Sequence, residues 1–284
     1  MFEKVSTGWQ LARQSYQVLK LDKELLLFPL MSGIACLLVM ASFAIPLWAS
    51  GYADTVMNEE AISQSHQILG YVLLFAFYVV NYFVVIFFNA ALIACAIIRF
   101  KGGNPNLRDG FSAASARLPQ ILGWAVVAAT VGLILRIIES RSEKVGQFVA
   151  GLLGMAWSAV TYFVVPVIVV EQVGPVTAAQ RSLSILKKTW GEALTANFGI
   201  GLIVLLATLL AMIPLIAGAA AISAGMVALG IVGVVCGVIL VLLVSLVSSA
   251  LNAIIVGALY LYAAEGTVPG QFDDALFQQA FAHK

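Results

Sequence analysis

Six long apolar runs, separated by short polar stretches, set the pattern of this chain. Each run has the roughly 20 apolar residues that a helix needs to cross the hydrocarbon core of a bilayer. We therefore predict an all-α, polytopic membrane protein with six transmembrane helices. The predicted spans are Leu25–Trp48, Leu69–Ile98, Gln120–Ile138, Val145–Val170, Leu194–Ala217 and Met226–Tyr262. Because Pro214 to Leu240 is rich in Ala and Gly and has no polar loop, a seventh span there is the alternative.

A second pattern, with helical period, lies in the polar stretches beside the spans. Between the fourth and fifth spans, apolar residues recur at steps of three and four, and basic residues take the opposite side. That pattern is typical of an amphipathic helix lying in the membrane interface. Similar patterns begin at Phe2, follow Asn104-Pro105 and follow Val268-Pro269-Gly270. The predicted apolar face of the N-terminal helix is Phe2, Val5, Trp9, Ala12, Tyr16 and Leu19. That of the helix between the fourth and fifth spans is Val176, Ala179, Leu183, Leu186 and Trp190.

These elements recur in the same order along the chain. An interfacial helix followed by a transmembrane hairpin predicts three pseudo-repeats, at residues 1–98, 99–170 and 171–262 of a single membrane domain spanning residues 1–284. A C-terminal interfacial helix at residues 263–284 closes the chain. The segment NAALIACAIIRFKGG (Asn89–Gly103) aligns without gaps with NAIIVGALYLYAAEG (Asn252–Gly266). That alignment makes the last apolar region the second half of a hairpin, and it favours six spans over seven.

Charge adds an orientation to this picture. Of the 15 Lys and Arg residues, 12 fall on the N-terminal side of the predicted membrane and only Arg136, Arg141 and Lys144 on the other. Since cytoplasmic loops carry the excess of Lys and Arg, we expect both termini to face the cytoplasm from the inner membrane. The chain is 62% hydrophobic and 10% charged, with a net charge of +1. That balance excludes nucleic-acid binding driven by bulk charge and leaves membrane lipid as the expected surrounding.

Polar side chains recur in the second helix of each predicted hairpin. Such residues are costly in lipid, so they are expected to face the protein interior. They act either as interhelical hydrogen-bond donors and acceptors that hold the helices together, or as the lining of a polar cavity. The candidate lining residues are Tyr78, Asn81, Asn89, Ser158, Thr161, Ser248 and Asn252.

Basic residues on the interfacial helices form a second candidate site. These helices are either an architectural collar on the cytoplasmic side of the spans or a docking surface for anionic lipid or a protein partner. The candidate residues of this surface are Arg108, Arg117, Arg181, Lys187 and Lys188.

Patterns that carry catalytic chemistry are missing from the sequence. It has no Walker loop, GxSxG, HExxH or zinc-type spacing. Its two histidines, His66 and His283, are predicted on opposite sides of the membrane, and its three cysteines lie in apolar runs. We therefore expect no enzyme, no cofactor and no metal site.

Three stretches of the sequence carry a resemblance to known proteins. They are GWQLARQSYQVLKLDKELLLFP (Gly8–Pro29), VGPVTAAQRSLSILKKTW (Val173–Trp190) and EGTVPGQFDDALFQQAF (Glu265–Phe281). The chain resembles a prokaryotic family of integral membrane proteins of unknown function. It is also distantly similar to the membrane domain of glycerophosphodiester phosphodiesterases and to related uncharacterised inner-membrane proteins. The resemblance implies an architecture and transfers no functional residue.

Two functions follow as hypotheses. The first is a non-enzymatic scaffold or accessory subunit that binds a protein partner or anionic lipid at its cytoplasmic face. The alternative is a passive channel or carrier for a small neutral or lipidic substrate. A membrane or cytoplasmic protein partner and a homo-oligomer both stay open.

Overall fold

All the secondary structure that a computed structural model describes in this chain is helical. It describes residues 2–51, 64–140 and 145–272, and the side chains of residues 9–51, 68–140, 146–187 and 201–272. In chain order the helices are α1 (Phe2–Leu21), a 3₁₀ turn (Lys23–Leu26), α2 (Leu27–Ala49), α3 (Gln64–Phe100), α4 (Leu107–Ser115), α5 (Leu118–Ser140), α6 (Val145–Val160), α7 (Val164–Glu171), α8 (Pro175–Ser223) and α9 (Val227–Glu265). The predicted C-terminal interfacial helix lies largely outside the described residues.

The six predicted spans are confirmed as helices long and apolar enough to cross a membrane. They are Lys23–Ala49, Ile68–Phe100, Leu118–Ser140, Gly146–Glu171, Gly201–Ser223 and Val227–Glu265. The seventh span, considered between Pro214 and Leu240, does not form. Instead α8 ends at Ser223, the chain turns through Gly225 at a φ of 84°, and α9 begins at Val227.

The segment predicted as a separate interfacial helix near Val176–Trp190 is the first part of α8. This helix has 49 residues and continues without a break into the fifth span. No proline lies between Pro175 and Pro214 to remove a backbone N–H, so nothing in this stretch ends the helix. At about 1.5 Å per residue the helix is about 73 Å long, more than twice the hydrocarbon thickness of about 30 Å. Much of α8 before Gly201 therefore extends beyond the span.

Two compact units divide the chain. The first consists of Met1–Pro29, Cys95–Pro105 and Lys187–Lys284, and the second of Leu30–Ala94 and Asn106–Leu186. In the first unit α1 packs on α9, and in the second α5 packs on α6. The rings of Trp124 and Trp157 stack between α5 and α6 with centroids 5.6 Å apart. A division into compact units does not test whether the chain contains internal repeats. The three predicted pseudo-repeats therefore stay a prediction.

Burial is concentrated at the C-terminal ends of the second, fourth and sixth spans. The runs 90–97, 163–168 and 253–261 are buried almost throughout. The first and fifth spans and the N-terminal part of the sixth present many exposed large apolar side chains, among them Leu37, Leu38, Leu210 and Val232. That distribution is expected of helices whose solvent is lipid, because lipid and protein interiors are equally apolar. The buried ends are also where the two aligned segments beginning at Asn89 and Asn252 lie.

Candidate functional site

A buried ion pair joins the end of α1 to the end of the second span. Arg99, on the last turn of α3, donates from Nε to Asp22 Oδ2 at 2.5 Å and from Nη2 to Asp22 Oδ1. The Arg99 side chain is 17% exposed and that of Asp22 only 7%. Arg99 Nη2 also donates to Asn104 Oδ1 at 2.6 Å, and Gln271 Nε2 donates to the Arg99 carbonyl at 3.3 Å. We call these four residues the Arg99 junction.

The Arg99 junction is reinforced by two neighbouring contacts within the same unit. Lys101 Nζ donates to Glu265 Oε1 at 3.2 Å, joining the ends of α3 and α9. The rings of Phe100 and Phe272 meet edge to face with centroids 5.7 Å apart. A planar guanidinium that binds a carboxylate through two nitrogens imposes geometry as well as energy. The arrangement therefore fixes the C-terminal end of α1 to the ends of two helices, α3 and α9.

The residues of the apolar face predicted for α1 differ in exposure. Leu11, Ala12, Ser15, Val18 and Leu19 are buried, and the helix packs against α9. Of the predicted apolar face, Ala12 and Leu19 are buried, whereas Trp9 and Tyr16 have 57% and 45% of their surface exposed. Each of these two aromatic side chains has a polar atom and is suited to a surface that is partly wet. The interfacial position of the helix stays a prediction.

The fourth span is interrupted, and a buried serine bonds the backbone groups that the break releases. Pro166 has no N–H to offer the carbonyl of Tyr162, and its ring clashes there, so α6 ends at Val160 and α7 begins at Val164. Ser182 Oγ donates to the Val160 carbonyl at 2.6 Å and accepts from the Phe163 N–H at 3.0 Å. Ser182 is fully buried. One hydroxyl thereby fastens the start of α8 to the interrupted span.

A tight corner between α7 and α8 brings Ser182 into place. Gln172 adopts a left-handed φ of 60°, which ends α7, and Pro175 opens α8 at the first helical position, where its missing N–H costs nothing. Arg181 Nε donates to Glu171 Oε1 at 2.9 Å across this corner. Gly123 on α5 lies so near that a Cβ there would be 2.8 Å from the Pro175 ring. The corner is therefore closely packed.

The short helix α4 shows how the second amphipathic segment is held. Asn106 Oδ1 accepts from the Asp109 N–H at 3.1 Å, and Asp109 Oδ2 accepts from the Asn106 N–H at 3.0 Å, which is a capping box. Phe111 packs against the rings of Phe87 and Phe88 at 6.1 and 6.0 Å. These contacts turn Arg108 to the exposed side of the helix.

The five candidate basic residues differ in what they contact. Arg108 and Lys187 are exposed, and neither has an ion pair among the described residues. Arg181 is bound by Glu171. Arg117 is half-buried; its Nη1 donates to the Ala116 carbonyl at 3.2 Å, and its buried Nε has no hydrogen-bond partner in the described part of the chain. The side chain of Lys188 lies outside the described residues.

The candidate lining residues are placed individually, and their predicted convergence stays a prediction. Tyr78 accepts a hydrogen bond of 2.8 Å from Arg136 Nη1, a partner that the sequence did not indicate. Asn81 Nδ2 donates to the Phe77 carbonyl at 3.2 Å, and Thr161 Oγ1 donates to the Trp157 carbonyl at 2.9 Å, so both bond to their own helix. Ser158 and Asn252 are exposed, and Asn89 and Ser248 are half-buried.

An apolar cleft of about 420 Å³ lies between α2 and α3 beside Pro46. Phe43, Leu47, Leu69 and Leu73 are among its lining residues. The two hydroxyls in its wall, of Ser42 and Ser50, donate to carbonyls of their own helix at 2.8 and 3.0 Å. The cleft therefore suits hydrocarbon better than a polar solute. No group of three His, Cys, Asp or Glu side chains that could hold a metal ion occurs within residues 2–51, 64–140 and 145–272.

Comparison with known proteins places this arrangement in a family. Residues 68–270 match the model of a family of unknown function, DUF6159. The chain belongs to this family. The match begins in the second span and ends just after α9, so it includes the interrupted fourth span and, of the Arg99 junction, Arg99 and Asn104. No curated protein matches the chain, and no solved structure matches it.

Proposed function

We propose that this DUF6159 protein is a non-enzymatic scaffold or accessory subunit that binds a protein partner or anionic lipid at one face of the membrane. The observation that carries the proposal is that basic side chains of the candidate surface are exposed without an acidic partner. Arg108 and Lys187 are both exposed, and neither is neutralised by an acid among the described residues. Unpaired positive charges favour a negatively charged partner surface.

The proposed orientation places this face in the cytoplasm of a cell with an inner membrane. Its support is the asymmetry of Lys and Arg along the sequence, which the positive-inside rule reads as cytoplasmic termini. The three pseudo-repeats, each bringing an amphipathic segment to the same face, belong to the same proposal. So does the distant similarity to the membrane domain of glycerophosphodiester phosphodiesterases, which rests on sequence resemblance alone.

The competing function is a passive channel or carrier lined by the polar residues of the second, fourth and sixth spans. The described side-chain hydrogen bonds of Asn81 and Thr161 go to carbonyls of their own helices. The cleft beside Pro46 is apolar. These observations favour the scaffold, because a pathway for a polar solute needs donors and acceptors turned towards the solute.

Native mass spectrometry of the protein, gently extracted from its own membrane, is the experiment that tests the proposal. We expect a stoichiometric protein partner or retained acidic phospholipid, and binding that weakens in the variant Arg108→Gln/Lys187→Gln. A protein that carries neither partner nor acidic lipid would contradict the proposal. A comparison variant is Arg136→Gln, which removes one exposed charge from the other end of the third span and also alters the hydrogen bond to Tyr78.

A flux assay in liposomes separates the competing function. Flux above that of empty liposomes, lost in Asn81→Leu or Asn252→Leu with folding intact, would favour the channel. For the scaffold we expect flux equal to that of empty liposomes in the unmodified protein and in both variants. Thr130→Val, which removes an exposed hydroxyl from the third span, is the control for a nonspecific change in leak.

A further inference from the structure

α1 has two long faces of different chemistry. One face packs on α9 through Leu11, Ala12, Val18 and Leu19. The exposed side of the helix includes Trp9, Arg13, Tyr16 and Lys20, which lie along one line and which we call the α1 stripe. These residues recur at steps of four, three and four. At about 100° per residue they lie within an arc of about 60° on the helix.

We propose that the α1 stripe binds the headgroups of acidic phospholipids. Its composition alternates aromatic and basic residues along a single line. Trp and Tyr are enriched where an apolar ring meets a wet headgroup layer, and Lys and Arg near the surface attract anionic lipid. Lys20 Nζ lies 4.8 Å from the centre of the Tyr16 ring, so one cation already rests on one aromatic ring of the stripe. This proposal deepens the lipid part of the proposed function and rests on it.

The position of α1 favours a membrane over a soluble partner. The helix ends at Leu21, and the first candidate span begins at Lys23, so Lys20 lies within one helical turn of the start of that span. Asp22 between them is bound by Arg99 at the end of the second span. The C-terminal end of α1 is thereby tied to two spans and held at the level where headgroups lie.

The local charge balance also fits an acidic surface. Between Trp9 and Glu24 the exposed charged side chains are Arg13, Lys20, Lys23 and Glu24. The other acid in this stretch, Asp22, is buried and bound by Arg99, so it does not offset the stripe. Three exposed cations against one exposed anion leave a net positive face beside the bilayer.

Competitive lipid binding to the full chain tests the proposal. The protein is equilibrated with mixed micelles of equimolar phosphatidylglycerol and phosphatidylcholine, and bound lipids are counted by native mass spectrometry. We expect a preference for phosphatidylglycerol that falls about fivefold for each charge removed in Arg13→Gln/Lys20→Gln. The preference should be kept in Arg13→Lys/Lys20→Arg, and it should weaken as salt rises because exposed charges are screened.

The comparison variant Arg108→Gln/Lys187→Gln removes the same number of exposed charges from the residues that carry the proposed function, so the two variants separate the two proposals. If only this comparison variant loses the preference, the stripe proposal is overturned while the proposed function stands. If neither variant loses it, the stripe proposal is overturned as well. If the unmodified protein shows no preference for phosphatidylglycerol, the lipid part of the proposed function falls with it. Unchanged thermal unfolding and gel-filtration profiles of the stripe variant show that the fold is intact, as expected for exposed positions.

Discussion

Two regions of this protein fasten an amphipathic helical segment to a span by opposite chemistry. In the first unit, α1 is fastened by the charged Arg99 junction, where Asp22 and Arg99 are both largely buried. In the second unit, the start of α8 is fastened by a neutral hydroxyl, that of Ser182, to a break in the fourth span. Asp22 and Arg99 bond to each other, whereas the Ser182 hydroxyl bonds to the Val160 carbonyl and the Phe163 N–H, which lie at the break before Pro166. The first should therefore be more sensitive to removal of one partner than the second.

The largest effect is expected from Asp22→Ala. The substitution leaves the Arg99 guanidinium nearly buried without its carboxylate, and breaking such a pair costs about 3–5 kcal/mol of unfolding free energy. Denaturant or thermal unfolding of the full chain in detergent measures it. Arg99→Met alone should be damaging in the same way. The double variant Asp22→Ala/Arg99→Met removes both charges and should recover much of the loss. A double variant no more stable than either single one would show that α1 is not fastened by the pair.

Ser182→Ala is expected to have the next largest effect. It leaves the Val160 carbonyl and the Phe163 N–H without their described partner, and because both groups are neutral we expect a cost of about 1–3 kcal/mol in total. The control is Ser184→Ala, two residues along the same helix, where an exposed hydroxyl bonds only the Arg181 carbonyl at 3.1 Å. That variant should unfold like the unmodified protein.

The break itself is open to the same kind of test. Pro166→Ala restores an N–H, so α6 and α7 can join into one helix and re-form the bonds that Ser182 replaces. Ser182→Ala should then cost less in the Pro166→Ala background than in the unmodified protein. Equal costs in both backgrounds would mean that the serine acts through packing and not through the released backbone groups.

A third contact between helices involves close backbone packing and no polar side chain. Where α8 and α9 meet, a Cβ on Gly233 would lie 2.8 Å from the Gly218 Cα and 3.1 Å from the Pro214 carbonyl oxygen. Gly233→Ala should destabilise the protein by about 1–3 kcal/mol, because backbone atoms cannot move aside as a flexible side chain can. Gly154→Ala is the control: no atom lies within 4 Å of its Cβ position. Alanine there should be neutral or stabilising by about 0.5–1 kcal/mol, since glycine is costly in a helix.

Sequence was sufficient for some of these features and not for others, for physical reasons. Six spans were predictable because about 20 consecutive apolar residues have few alternatives in a bilayer. A proline at position 166 is a residue type that interrupts helices. Nothing in the local sequence indicates that Ser182, 19 positions after Phe163, bonds the backbone groups at the break. Asp22 and Arg99 are 77 positions apart, and each has the sequence surroundings of an ordinary exposed charge. The direction of α1 was ambiguous because Trp9 and Tyr16 fit either an apolar or an interfacial surface.

The smallest effect is expected from Lys101→Ala, which separates charge from burial. The Lys101–Glu265 pair has the same signs as Asp22–Arg99 and joins neighbouring helix ends, but its side chains are 54% and 35% exposed. Water solvates either partner when the other is removed, so the loss should be about 0–1 kcal/mol and should shrink further at high salt. The measurement is the same unfolding assay at low and high ionic strength, with Asp22→Ala alongside. If Lys101→Ala lowered the free energy of unfolding as much as Asp22→Ala, burial would not explain the strength of the Arg99 junction. Helix geometry would then have to explain why the Asp22–Arg99 pair and the Ser182 hydroxyl differ in their effect on stability.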